Sequence, residues 1–164
     1  MQISLLAWLG PAYLAAVSIP LAIFDIRQRR LPNKLVLPGF LVVWPAQLIS
    51  SIALGDFTRM GTSTLCCLAL FALGLLVNRI GAVGMGDVKL LALMGQSFGW
   101  WGFWPVLLAV TFGIVLAALF VLGSLALKRL NAGSTIPLGP YLLAGCLAAS
   151  LQIFFGEGVV TLPA

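Results

Sequence analysis

The sequence contains no histidine, and its three cysteines form no C-x-x-C pair. Cys66 and Cys67 are adjacent, whereas Cys146 stands alone in an apolar run. Structural and catalytic zinc sites are built from clusters of cysteine and histidine at short, regular spacings. The sequence therefore predicts no metal site and no cofactor, and it favours cysteines that are small buried residues of helices.

Charge is also scarce. Only 8% of the 164 residues are charged, 62% are hydrophobic, and the mean hydropathy is +1.14. A water-soluble domain of this size could not cover its surface with so few charges, whereas repeated apolar runs can cross about 30 Å of hydrocarbon. We therefore expect an all-α polytopic membrane protein with a single transmembrane domain over residues 1–164.

Six apolar segments are candidate transmembrane helices: 3–24, 35–54, 61–77, 85–98, 103–127 and 136–155. The first segment lacks a basic start and exceeds signal-peptide length, so we interpret it as a retained span. The fourth is short, and the Trp100–Trp101 pair that follows it resembles an interfacial anchor.

The basic residues alternate between successive connections. The first connection contains Arg27, Arg29, Arg30 and Lys34, the third contains Arg79 with Lys89 just beyond it, and the fifth contains Lys128 and Arg129. The positive-inside rule then places these connections in the cytoplasm and both termini outside. Membrane orientation accounts for the net charge of +5, so we predict membrane lipid and no nucleic acid as a partner.

The four acidic residues fall into two classes. Asp56 and Glu157 lie in short polar stretches, where solvated loop charges are the simplest interpretation. Asp25 ends the first span and Asp87 opens the fourth, so the predicted orientation places both at the cytoplasmic side. An acid below the membrane surface is costly unless it faces water or a partner. The glycines before Asp87 allow the backbone to unwind and another chain to approach closely.

Two carboxyls held a few ångströms apart share one proton, so that one activates water while the other polarises a carbonyl. This is the chemistry of aspartic peptide hydrolysis, and it needs neither metal nor histidine. Each acid also has a simpler interpretation. Asp25 could be an interfacial charge paired with Arg29 at i+4, and Asp87 could cap its own helix.

Three sequence blocks resemble motifs of the type IV prepilin peptidases, which are G-x-G-D-type intramembrane aspartyl proteases. They are "DIRQRRLPN" from Asp25 to Asn33, "GMGDVKLLALMG" from Gly84 to Gly95, and "IPLGPYLLAG" from Ile136 to Gly145. The blocks stand in the family's order with the expected spans between them. Each block alone is weak, but together they are specific.

The resemblance implies an endopeptidase of the bacterial inner membrane that removes basic leaders from prepilins or pseudopilins at the cytoplasmic face. It implies Asp25 and Asp87 as the catalytic acids. It also implies a supporting set of residues: Pro32, Asn33, Gly84, Gly86, Lys89, Pro137, Gly139 and Pro140. Because the cysteine-paired N-terminal part of many members is missing, we expect a short, protease-only form without methyltransferase activity.

Several alternatives remain at the level of sequence. A small proton- or cation-coupled transporter could use the same two aspartates, but it would favour acids near the midplane and an internal repeat. A non-catalytic membrane scaffold would leave the paired aspartates unexplained. Lys89 is either an interfacial anchor or a cation that tunes the acid pair. The oligomeric state is open.

Overall fold

The computed structural model describes residues 5–28, 32–81, 83–127 and 137–160, and these residues form helices with no strand among them. A 3-10 turn at Leu5–Trp8 leads into α1 (Leu9–Gln28), which is followed by α2 (Asn33–Leu54), α3 (Thr58–Arg79), α4 (Met85–Phe98), α5 (Phe103–Ala126) and α6 (Gly139–Val160). A second 3-10 turn, Gly99–Trp101, directly follows α4. The predicted all-α fold is confirmed.

Within the described ranges, five helical segments are long and apolar enough to cross a membrane. They are Leu5–Arg27, Asn33–Leu54, Thr58–Arg79, Phe103–Ala126 and Gly139–Gly156. The exception is α4, whose 14 residues extend over about 21 Å and fall short of the hydrocarbon thickness. Large apolar side chains cover the outside of the bundle, with Ile19 70%, Leu41 77% and Trp104 71% exposed. Such a surface is suited to lipid, and the protein is a polytopic membrane protein.

Contacts between helix ends show how the bundle is arranged. Asp25 at the end of α1 contacts Gly139 at the start of α6, and Lys89 near the start of α4 contacts Asn33 at the start of α2. At the opposite end, Trp8 packs against Trp101 with ring centroids 5.3 Å apart. Successive helices therefore run in alternating directions. We call the end that contains Asp25 and Asp87 the aspartate end.

Glycines allow α3 and α4 to touch along their backbones. A Cβ on Gly95 would lie 2.6 Å from the Cys66 carbonyl oxygen, and a Cβ on Gly99 would lie 2.6 Å from Ser63 Cα. No side chain larger than hydrogen fits at either contact without a backbone shift. The short α4 is consequently packed inside the bundle, and most of its residues from Asp87 to Phe98 are buried.

The interpretation of Trp100 as an interfacial anchor is wrong. Its side chain is 2% exposed, because the 3-10 turn after α4 directs it into the protein interior. Trp101 is partly exposed and contacts Trp8. The end of α4 is therefore enclosed by protein, where the sequence predicted a membrane surface.

The turn between α2 and α3 contains Asp56, one of the two predicted loop acids. Gly55 ends α2 in the left-handed conformation with φ 64°, which favours glycine. The Thr58 backbone N–H then donates to Asp56 Oδ1 at 2.8 Å. Hydrogen bonds from the Thr58 side chain and backbone, with a smaller contribution from Arg59, lower the pKa of Asp56. The side chain of Glu157 lies outside the described residues.

Candidate active site

Asp25 lies in the last turn of α1 and is 4% exposed. The backbone N–H of Gly139, the first residue of α6, donates to its Oδ2 at 2.8 Å. A Cβ on Gly139 would lie 2.6 Å from the same oxygen, so the absence of a side chain lets the start of α6 approach the acid. The positive end of the α6 dipole also points toward this carboxyl. Two motifs far apart in sequence thus meet at Asp25.

Asp87 is the third residue of α4 and is 9% exposed. The N-cap position belongs to Gly84, in an extended conformation, so Asp87 is not the N-cap residue that one interpretation proposed. The Asp87 carboxyl lies beside Gly84, since a Cβ on Gly84 would lie 3.3 Å from Asp87 Oδ2, and Asp87 Oδ1 is buried without a hydrogen-bond partner in the described structure. Buried side-chain oxygens without a hydrogen-bond partner are uncommon in proteins.

The two acids come from different helices and act on each other. The Asp25 charge lies close enough to Asp87 to interact with it electrostatically. Both side chains are buried at the same end of the bundle. Two carboxyls in one poorly solvated region do not both ionise easily. Arg29, the alternative partner predicted for Asp25, lies outside the described residues.

Lys89 joins the two aspartate motifs. Its Nζ donates to Asn33 Oδ1 at 2.8 Å, which ties α4 to the first residue of α2. The side chain of Lys89 is half-buried and that of Asn33 is exposed. Neither interpretation made from the sequence included this contact, although both residues belong to predicted motifs.

The remaining predicted residues surround these contacts. Pro32 is the extended N-cap of α2, and its carbonyl accepts the Leu35 N–H at 3.0 Å. Gly86 is the second residue of α4 and is partly exposed. Pro137 and Pro140 flank Gly139, and both are partly exposed. The described parts of the three predicted motifs therefore lie at one end of the bundle.

Sequence reasoning missed two polar contacts. The Tyr13 hydroxyl donates to the Leu35 carbonyl at 2.8 Å, which holds α1 against α2. Gln47, Ser63 and Gln96 form a buried hydrogen-bonded group, which we call the glutamine cluster. The sequence could have predicted this cluster, because its members are polar residues inside apolar spans, and such residues commonly form hydrogen bonds between helices. Among the described residues no group of three acidic, cysteine or histidine side chains could hold a metal.

Fold and site together define a polytopic helical membrane protein with two buried, interacting carboxyls at one end of its bundle. The chain belongs to the type IV leader peptidase family, whose model matches residues 12–122. The matched part includes both Asp25 and Asp87, and ends before α6 begins.

Individual relatives agree with this assignment. A prepilin leader peptidase/N-methyltransferase of Aeromonas salmonicida is 30% identical in an alignment of 159 positions that covers 92% of this chain and 50% of that protein. Proteins of the same description from Pseudomonas putida and Stutzerimonas stutzeri are 32% and 31% identical, over 86% and 79% of this chain and 48% and 45% of their own lengths. The chain thus spans about half the length of these curated relatives. No solved structure matches the chain significantly.

Proposed function

We propose that this protein is an aspartic endopeptidase that removes the basic leader peptide from type IV prepilins or pseudopilins. Membership of the type IV leader peptidase family supports the peptidase activity and the class of substrate. The observation that carries the proposal is the pair of buried, interacting aspartates contributed by α1 and α4 at one end of the bundle.

In the proposed reaction, the ionised member of the pair takes a proton from water as the water oxygen attacks the scissile carbonyl carbon. The protonated member donates its proton to the carbonyl oxygen, which gives a neutral tetrahedral diol. As the C–N bond breaks, the carboxyl that took a proton from water donates it to the leaving amine, and the other carboxylate takes the proton of a diol hydroxyl, which returns the pair to its starting state. Pre-positioned acids contribute most when they need not reorganise during the reaction. The Gly139 N–H, already bonded to Asp25 Oδ2, serves this positioning.

The glycines before Asp87 are proposed to admit the substrate backbone. Gly84 is exposed and Gly86 is partly exposed, and neither has a side chain that would keep an extended peptide away from the backbone at the start of α4. A pilin precursor would keep its hydrophobic helix in the lipid beside the bundle, with the scissile bond at the level of the aspartate end. Lys89, Asn33 and the prolines at positions 32, 137 and 140 are proposed to support the helix ends that carry the site.

The predicted topology completes the proposal. By the positive-inside rule, the basic connections favour an orientation with the aspartate end at the cytoplasmic face of the inner membrane and both termini outside. Reporter fusions near Arg30, Arg79 and the C-terminus test this orientation. A cytoplasmic C-terminus would contradict the placement of the aspartate end.

The transporter alternative is less well supported. Asp25 lies in the last turn of α1 and Asp87 in the first turn of α4, at helix ends, whereas transporter sites typically lie near the bilayer midplane. The family to which the chain belongs also favours a peptidase.

Co-expression with a prepilin that carries a basic leader tests the proposed function. The wild-type protein should shorten the precursor by its leader, whereas Asp25→Asn and Asp87→Asn should leave it intact at equal membrane levels. Asp56→Asn and Glu157→Gln are matched controls, since each also removes one acid, and both should process normally. Processing by an Asp25→Asn or Asp87→Asn variant at a rate near the wild type would contradict the proposal.

A further inference from the structure

The glutamine cluster links three helices through buried side chains. Gln47 on α2, Ser63 on α3 and Gln96 on α4 are at most 1% exposed. Gln47 Nε2 donates to the Gln96 backbone carbonyl at 2.7 Å, and Gln96 Nε2 donates to Gln47 Oε1 at 2.6 Å. The Ser63 hydroxyl lies 2.9 Å from the same Gln47 Oε1 and 3.2 Å from Gln96 Nε2.

These contacts fix the orientation of both amides. Gln47 must direct its NH₂ group toward the Gln96 carbonyl, because a carbonyl oxygen cannot donate. Its Oε1 is then the acceptor for the Gln96 NH₂ group. Gln96 lies within the last four residues of α4, whose carbonyls have no partner in an ideal helix. Gln47 therefore caps the end of α4 from a neighbouring helix.

The short α4 needs such a device more than the other helices do. It cannot reach both membrane surfaces, and its last residues together with Trp100 are buried in protein. Interfacial side chains at this end thus cannot set its depth. Gly95 in α4 and Gly99 in the turn that follows it lie against α3 and fix the distance between the helices. Directional hydrogen bonds add a fixed position along the axis.

The cluster is poorly explained as a stabilising element alone. Gln96 Oε1 is buried and has no hydrogen-bond partner in the described structure. A partly satisfied polar group is often less favourable than an apolar replacement of similar volume, and such groups can be retained because they specify one arrangement. At its other end, α4 carries Asp87, whose alignment with Asp25 the proposed reaction requires.

We propose that Gln47, Ser63 and Gln96 are positioning residues that fix α4 along its axis and thereby hold Asp87 level with Asp25. This inference rests on the proposed function for its consequence in activity. The position of α4 itself is a property of the protein without substrate. Asp87 and Gln96 are nine residues apart in one continuous helix, so a shift of α4 at the cluster moves the acid by a similar amount.

The test replaces the whole cluster by apolar side chains of similar volume, in the variant Gln47→Met, Ser63→Ala, Gln96→Met. We expect an unchanged or higher Tm, an unchanged KM for a prepilin, and a kcat lower by about ten-fold or more, since a misplacement of about 1 Å can cost that much. Gln152→Met is the matched control on the exposed side of α6 and should leave kcat and Tm unchanged.

Pulsed EPR measures the position of α4 directly and needs no substrate. Spin labels are attached to cysteines introduced at Met85 on α4 and Ile49 on α2, whose side chains are 49% and 54% exposed. The native cysteines are changed to serine in this protein. We expect the distance distribution to shift or broaden in the cluster variant. A wild-type distribution would overturn the inference whatever the activity, and so would a wild-type kcat in a folded cluster variant. If the cluster variant fails to insert into the membrane, the same distance is measured in Ser63→Ala. A shifted or broader distribution would then support the inference, and a wild-type distribution would overturn it.

Discussion

The aspartate end and the glutamine cluster are both buried polar regions built from several helices, but they are satisfied in different ways. In the cluster, neutral amides and a hydroxyl bond to one another across α2, α3 and α4. At the aspartate end, two ionisable groups lie close together, and Asp87 Oδ1 has no partner in the described structure. Neutral groups that bond to one another can hold helices in position, whereas paired acids can exchange protons with a substrate.

The same short helix carries both regions. Asp87 lies in the first turn of α4 and Gln96 lies near its last residue. One end of α4 therefore carries the proposed catalytic acid, and the other end carries the hydrogen bonds proposed to position the helix. Variants that affect one region and spare the other can separate these roles.

Among changes that keep both acids, Gly139→Ala should have the largest effect on activity while it spares the glutamine cluster. The new methyl would lie 2.6 Å from Asp25 Oδ2, and the carboxyl must move away from it. We expect cleavage to fall by about 100-fold at unchanged membrane level, because catalytic groups tolerate little displacement. The control is Gly123→Ala on α5, where nothing lies within 4 Å of the new Cβ. Equal rates for these two variants would contradict the role of the α6 start.

Gly95→Ala should disturb the other region, and its main effect should be on stability. Its Cβ would lie 2.6 Å from the Cys66 carbonyl oxygen, so α3 and α4 must separate. Overpacking of this kind costs about 1–3 kcal/mol, measurable as a lower Tm in detergent. Gly61→Ala on α3 meets no atom within 4 Å and should be neutral or slightly stabilising. A wild-type Tm for Gly95→Ala would show that the close contact is not required.

Changes at Lys89 should have a smaller effect and would distinguish the interpretations of this residue. If the bond to Asn33 matters, Lys89→Ala and Asn33→Ala should each lower the rate by roughly two- to ten-fold, with no further loss in the double variant. Lys89→Arg keeps a donor and should keep most activity. If Lys89 instead tunes the acids, Lys89→Gln should shift the acidic limb of the pH–rate profile upward. If every variant has a normal rate and an unshifted pH–rate profile, only the interpretation of Lys89 as an interfacial anchor remains.

Asp56→Asn should have the smallest effect, because Asp56 belongs to neither region. Its depressed pKa means that its contribution to stability is present at neutral pH and is lost as the pH falls through the folded-state pKa. We therefore expect wild-type cleavage and at most a slight decrease in Tm at pH 7, which disappears in acid. A Tm difference that grows on acidification would contradict the assignment of this hydrogen bond.

Much of the fold follows from composition and periodicity. The predicted segments at 35–54, 85–98 and 103–127 lie close to the observed α2, α4 and α5. The burial of Trp100 did not follow, since a tryptophan pair after an apolar run resembles an interfacial anchor unless the path of the 3-10 turn is known. Sequence motifs predicted which residues gather at the aspartate end. They could not predict that the Gly139 N–H bonds to Asp25, because this contact depends on how α1 and α6 pack.

The cleavage rate of a purified prepilin in proteoliposomes tests the paired action of Asp25 and Asp87 most directly. The wild-type protein is compared with Asp25→Asn, Asp87→Asn and the double variant, with leader release followed by mass spectrometry. If the acids act as a unit, each single variant falls to the background rate and the double variant is no slower. The account is contradicted if either single variant, inserted at the wild-type level, retains a substantial fraction of the wild-type rate.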